Sequence, residues 1–158
     1  MTDRQINEEY IKGVKEVLKK TPYFQLLDIQ MVDLKPGRSV FTIPAASKHL
    51  NTFDVVHGGV FASILDATAF WAIYSAVDEG LSMTTVELKI NYLAPAEANQ
   101  TLLATGTAIK TGRTLGLGEA RLTVAETGRL VGFATSRCMI LKAPASNPLS
   151  KLPRKFSN

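Results

Sequence analysis

Apolar side chains recur every three or four residues through residues 2–19, where Ile6, Tyr10, Val14, Val17 and Leu18 fall on one face. That period predicts an amphipathic helix, with Thr2 and Gln5 as its capping box. Thr21-Pro22 ends it, and residues 22–26 predict one further short turn. Residues 28–35 and 38–44 read as strands about a tight turn at Pro36-Gly37, and residues 45–56 as a loop. Residues 58–77 are almost wholly apolar, with the length and period of a buried helix. Residues 82–93 make the plainest strand: Val86, Leu88, Ile90 and Tyr92 fall on one face, Thr85, Glu87, Lys89 and Asn91 on the other, and Pro95 closes it. Three more strands follow at residues 101–110, 115–125 and 130–141, joined by hairpin turns at Thr111-Gly112-Arg113 and Glu126-Thr127-Gly128. From Ala143 onward the chain is rich in proline and polar residues without apolar periodicity. This tail is expected to be disordered, and a chain ending at Lys142 is expected to fold and function.

The order of elements is helix, two strands, one long buried helix, four strands. It predicts an α+β domain over residues 1–142, a mostly antiparallel sheet wrapped around the central helix, with residues 143–158 as the tail. That order resembles the hotdog fold. An open sheet leaves a long edge strand as a pairing liability, and a symmetric dimer joined edge to edge removes it. The apolar segment is also long enough to cross a membrane. Asp66 near its middle would cost about 2.5–3.5 kcal/mol there, and alternating strands follow it, so a buried core helix is the better reading.

Composition narrows the partners. The 158 residues are 46% hydrophobic and 20% charged, an ordinary globular balance. A net charge of +4 suits an anionic small ligand such as a phosphorylated cofactor. The basic residues are scattered, with no stripe interleaved with aromatics, which argues against nucleic acid. The single cysteine, Cys138, excludes an internal disulfide framework and a cysteine metal site, and reads as a small buried hydrophobe in a strand. The opening residues MTDRQINEEY lack the apolar run of a signal peptide, so a cytoplasmic protein is expected.

The chemistry concentrates where the loop enters the buried helix. Between Val55 and Val77 the only charged or readily titrating side chains are His57 and Asp66. A lone acid on an apolar helix is costly unless paired, solvated at one face, or used. A helix that starts at Gly58-Gly59 presents free N–H groups and the positive end of its dipole. The bland readings stand beside this one: a Gly-Gly turn, a capping histidine, and an acid bonded to a backbone group.

Taken together, Asn51, His57-Gly58-Gly59, Asp66, Thr85, Asn91-Tyr92-Leu93-Ala94-Pro95 and Gly112-Arg113-Thr114 resemble the PaaI-like acyl-CoA thioesterases of the hotdog superfamily. The specific element is HGG, an acid seven residues beyond its second glycine, and a strand ending Tyr-x-x-Pro. The resemblance implies that the Gly58 N–H polarises the thioester carbonyl at the helix start. It implies that Asp66 acts as general base or nucleophile. Thr85 would help hold the water, with Thr84 and Ser82 as alternatives if the strand face is offset by one. Asn51 and His57 would orient the thioester. Gly59 lies at the same helix start, and Phe53 and Phe61 flank it as acyl-pocket candidates. Phe70 and Trp71 read as packing, with pocket lining as the alternative. Lys110 and Arg113 are either solvated hairpin charges or contacts for the phosphates of coenzyme A. No metal and no cofactor beyond the substrate's own coenzyme A is implied.

Gly58 and Asp66 are eight helical steps apart, about 12 Å along the axis. One carboxylate cannot reach a carbonyl held at its own helix start. A working site therefore takes Asp66 from a second subunit, and a homodimer, or a dimer of dimers, is expected. The function implied is hydrolysis of an acyl-CoA thioester to a carboxylic acid and coenzyme A. The alternative is a non-catalytic acyl-CoA sensing domain, though only about twenty residues precede the fold. A hotdog dehydratase is disfavoured, since His57 is followed directly by Gly-Gly.

Overall fold

The computed structural model of the chain describes residues 4–144 and 146–157. Its elements are α1 (Glu8–Lys19), α2 (Pro22–Leu27), β1 (Gln30–Lys35), β2 (Arg38–Pro44), a 3₁₀ turn (Ser47–His49), α3 (Gly58–Ala76), β3 (Leu81–Tyr92), β4 (Thr101–Thr111), β5 (Leu115–Val124), β6 (Leu130–Lys142) and a second 3₁₀ turn (Pro148–Lys151). The strands form one antiparallel sheet in the order β1-β2-β4-β5-β6-β3. It curls around α3, as the order of elements predicts.

α3 is buried on nearly every side because its sequence carries almost no polar face. Phe61, Ile64, Leu65, Trp71 and Ile73 enter the core against Phe41 and Ile43 of β2, Leu102 and Ala104 of β4, and Leu122 of β5. Its buried hydroxyls are satisfied locally: Thr68 donates to the Ile64 carbonyl and Ser75 to the Ala72 carbonyl. β4 and β5 let the helix in close. A Cβ on Gly106 would lie 2.6 Å from the Thr68 carbonyl oxygen, and one on Gly116 would overlap the Ile73 side chain. At Gly106 the obstacle is the backbone of α3 itself, and at Gly116 the Ile73 side chain would have to move.

α1 begins later than the apolar period suggests. Asn7 caps it, its side chain accepting from the Glu9 N–H at 2.9 Å, because Ile6 is held extended by bridging to Phe156. Thr2, expected in a capping box, lies outside the described residues. β1 starts after Asp28, which ends α2 in the left-handed region at φ 55°.

The tail is expected to be disordered; of its described residues, 146–157 pack against the body of the fold. Its two ends of chain clasp: the Asn7 N–H donates to the Lys155 carbonyl and the Ser157 N–H to the Gln5 carbonyl. Lys155 is 3% exposed, and its ammonium donates to the carbonyls of Tyr74 and Val77 at the end of α3. These carbonyls lie at the end of the helix, where regular helical partners run out, although the Tyr74 carbonyl also accepts the Val77 N–H at 3.1 Å. Burial pushes the Lys155 pKa down to about 7, with Asp78 and Glu79 pulling it back up. The tail's sequence hides this because its anchors, Leu149, Leu152, Lys155 and Phe156, are set among prolines and polar residues. Truncation at Lys142 is therefore expected to destabilise the chain by about 2–5 kcal/mol, from the lost hydrogen bonds of Lys155 and the lost burial of Leu149, Leu152 and Phe156. That corresponds to about 5–15 °C in Tm. A thermal melt of residues 1–142 matching the full chain would contradict this.

Candidate active site

α3 carries two of the residues singled out in the sequence, Gly58 at its start and Asp66 near its middle. At the start, His57 is the N-cap, and its Nδ1 accepts the Gly59 N–H at 2.8 Å. The Val60 N–H donates to the His57 carbonyl at 2.9 Å. The Gly58 N–H is thus left without a partner among the described residues, at the positive end of a 19-residue helix. The Gly59 N–H is taken up by the His57 cap and is not free for a ligand. A Cβ on Gly59 would stand 2.9 Å from His57 Nδ1.

Asn51 organises the approaching loop. Its side-chain oxygen accepts the Phe53 N–H at 2.8 Å, and Asp54 takes a left-handed φ of 58° to close the turn. Leu50, Asn51, Thr52, Phe53, His57 and Gly58 line a shallow depression, with Phe53 82% exposed at its rim. Phe61 does not join it. That ring is buried in the core and stacks on Tyr92 at 6.2 Å, because its place on α3 faces β3.

Asp66 lies two turns on, in a second depression of about 460 Å³ lined by Tyr23, Phe24, Ser63, Phe70, Trp71 and Leu88, together with the small residues Ala62 and Ala67. Phe70 and Trp71, expected mainly as packing, are therefore walls of this depression as well as members of an aromatic cluster with Tyr74. The Thr85 hydroxyl donates to Asp66 Oδ1 at 2.9 Å. The sequence places Thr85 on the face opposite Leu88. A β-bulge at Val86 corrects that: Thr85 pairs with Cys138 and Glu87 with Arg137, so Val86 is skipped and left half-exposed. The phase of the strand shifts by one, and Thr85, Leu88 and Ile90 all face α3. Thr84 points outward opposite Met139, which removes it as the water-holding residue.

Burial raises the Asp66 carboxyl above the ordinary carboxylate range, and the Thr85 hydrogen bond pulls it partly back. The sign follows for stability: the fold prefers the protonated acid, so this group's contribution is greatest at low pH and is lost as pH rises through its raised pKa. Cys138, 3.9 Å from the Thr85 hydroxyl, is raised by burial as well and stays a thiol, as a small packed hydrophobe should.

Lys110 and Arg113 line a third depression at the β4–β5 hairpin, and Arg137 joins them from β6. Lys110, Leu117, Arg137 and Glu87 lie in register across β4, β5, β6 and β3, and Arg137 pairs with Glu87 at 3.0 Å. The strand alternation contains the Arg137 position, but only the sheet order shows that it meets the hairpin. Tyr23 and Ser63 were also missed, although Ser63 sits one helical turn before Asp66. Their hydroxyls are 2.7 Å apart over the Asp66 depression. Among the described residues, no group of three His, Cys, Asp or Glu side chains is placed to hold a metal ion.

Residues 53–131, half of the chain, match the family model of the Thioesterase superfamily. The chain belongs to the thioesterase superfamily. Among the proteins similar to it is a Saccharolobus solfataricus protein named as an esterase. It is 36% identical over 89 residues, or 56% of this chain, which spans 63% of that protein's length. Mouse acyl-coenzyme A thioesterase 13 is 26% identical over 77% of this chain and 87% of its own. The Escherichia coli PaaI protein from the phenylacetic acid degradation operon superposes with a TM-score of 0.76, over 88% of this chain and 96% of its own. At 19% identity that likeness carries the fold, which is the hotdog fold. The superfamily assignment makes the chain a thioester hydrolase, and the matched span holds Phe53, His57, Gly58, Asp66, Thr85, Lys110 and Arg113.

Proposed function

We propose that this thioester hydrolase cleaves acyl-CoA at a site shared by two copies of the chain, Gly58 coming from one and Asp66 from the other. The observation that carries the reading is that both lie on one continuous helix, about 12 Å apart along its axis. Each lines its own depression. β3 has no strand on its outer edge among the described residues. Pairing that edge with its copy about a two-fold axis sets the α3 helices side by side in opposite directions. The start of one α3 then faces the acid of the other.

In this arrangement the thioester carbonyl accepts the Gly58 N–H, and the helix dipole stabilises the oxyanion as it forms. Asp66, oriented by Thr85, takes a proton from water, whose oxygen attacks the carbonyl carbon. The C–S bond then breaks, and the coenzyme A thiolate leaves and takes up a proton. A base with a raised pKa matches its proton affinity to the task near neutral pH. The aromatic walls around Asp66 receive the acyl group. Lys110, Arg113 and Arg137 offer positive charge to the coenzyme A phosphates. Water is the only co-reactant required.

Thiol release from a panel of acyl-CoAs tests the activity. Release of one equivalent of thiol per acid formed is the expected result, and tight binding without release would favour a sensing role. The pH profile tests the base. kcat/KM is expected to fall as pH drops through the raised Asp66 pKa. Thr85→Val removes the bond that pulls this pKa down, so the acid limb should move to higher pH. A limb that stays put or moves to lower pH would detach Thr85 from the base.

A further inference from the structure

The chain has two histidines, and only His57 has figured in the chemistry so far. His49, in the 3₁₀ turn before the loop, is 1% exposed. Its Nδ1 accepts the Ala46 N–H at 3.0 Å, which fixes the uncharged tautomer with the proton on Nε2. That Nε2 is buried without a hydrogen-bond partner among the described residues. Burial and the neighbouring Lys48 hold down the ring's affinity for a second proton, while Asp28 and the Leu27 carbonyl oppose them. The ring thus sits against the end of α2, where Lys48 and Asp28 pair at 2.8 Å. α2 in turn carries Tyr23 and Phe24, two walls of the Asp66 depression.

The backbone of the same residue reaches the other half-site. The His49 carbonyl accepts the His57 N–H at 2.8 Å, one residue before Gly58. His57 is the cap that sets the direction of the first peptide of α3. A displaced His49 therefore displaces the His57 peptide and with it the Gly58 N–H. A charged ring could not hold this place, because an N–H on Nδ1 would confront the Ala46 N–H.

We propose that His49 is a positioning residue: its uncharged ring, wedged between α2 and the loop, fixes where the Gly58 N–H points. The inference rests on the role proposed for Gly58. A misplacement of about 1 Å at a reacting group costs about 10²-fold in rate, and it acts on the transition state more than on substrate binding.

Three variants separate positioning from plain packing. His49→Asn puts an oxygen where Nδ1 was and keeps an acceptor for the Ala46 N–H. His49→Gln reaches toward Leu27 but offers Ala46 nothing, and His49→Leu offers neither. The expected result is kcat within a few-fold of wild type for His49→Asn. His49→Gln and His49→Leu should lose about 10²-fold in kcat with KM little changed. The Gly58 amide resonance in a ¹H–¹⁵N spectrum should follow the same order, near its wild-type position only in His49→Asn. If His49→Leu does not fold, the contrast between Asn and Gln carries the test. A common kcat for the variants, or wild-type kcat with only Tm lowered, overturns the proposal. An inactive wild-type chain would instead overturn the proposed function, and the Gly58 resonance would still read the positioning.

Discussion

Asp66→Asn is expected to lose about 10²–10⁴-fold in kcat, the usual cost of removing a general base. KM should change little, because the carboxylate acts on water and not on the bound coenzyme A. The fold should not suffer. The Asn side-chain oxygen still accepts from the Thr85 hydroxyl, now 2.9 Å from Asp66 Oδ1. The variant also no longer has to ionise a group whose charged form burial disfavours. Its Tm at neutral pH should therefore equal or exceed that of wild type. Turnover near the wild-type rate in a well-folded Asp66→Asn chain would remove this residue from the mechanism.

Gly58→Pro attacks the other half. It deletes the N–H that is free at the start of α3, and loss of one such donor costs about 10²–10³-fold in kcat. Proline suits the first position of a helix, where its missing donor breaks no helical bond. His57, the residue before it, already has φ −62° and ψ 138°, the extended region that a following proline demands. A Cβ added here would stand 3.2 Å from a ring carbon of Tyr92, which must yield by a few tenths of an ångström. An unchanged circular dichroism spectrum with a collapsed kcat is the expected pair of results.

The buried helix and the six strands were legible because each depends on a period that local sequence contains. α3 is apolar all round, β5 and β6 alternate over ten residues, and β3 and β4 alternate over shorter runs broken by a bulge. The Gly58 N–H and Asp66 were legible for a related reason: a Gly-Gly helix start and a lone acid violate the pattern around them. What escaped depends on pairing. The bulge at Val86 shows only in register with β6, so strand alternation alone puts Thr85 on the wrong face, while the structure turns its hydroxyl to Asp66. Phe61 and Phe53 are both aromatic residues beside the HGG stretch, yet one is core and the other rim. Only the rotation of α3 against β3 separates them. The tail's hold on α3 runs through Lys155, whose partners are carbonyls 81 and 78 residues away in the chain. His49 was passed over because a buried imidazole in a polar loop has no sequence signature.

The central claim is that each site draws Gly58 from one copy and Asp66 from another, and a mixed-dimer measurement tests it most directly. Asp66→Asn and Gly58→Pro chains, each shown to be folded and nearly inactive alone, are co-refolded in equal amounts. In a mixed dimer one site collects both defects and the other collects neither. Random assortment makes about half of the dimers mixed, so roughly a quarter of wild-type activity should return. With exchange between subunits verified, recovery near that level is the predicted result. No recovery above the two parent variants would mean that each site takes both groups from one chain, and would contradict the shared-site account.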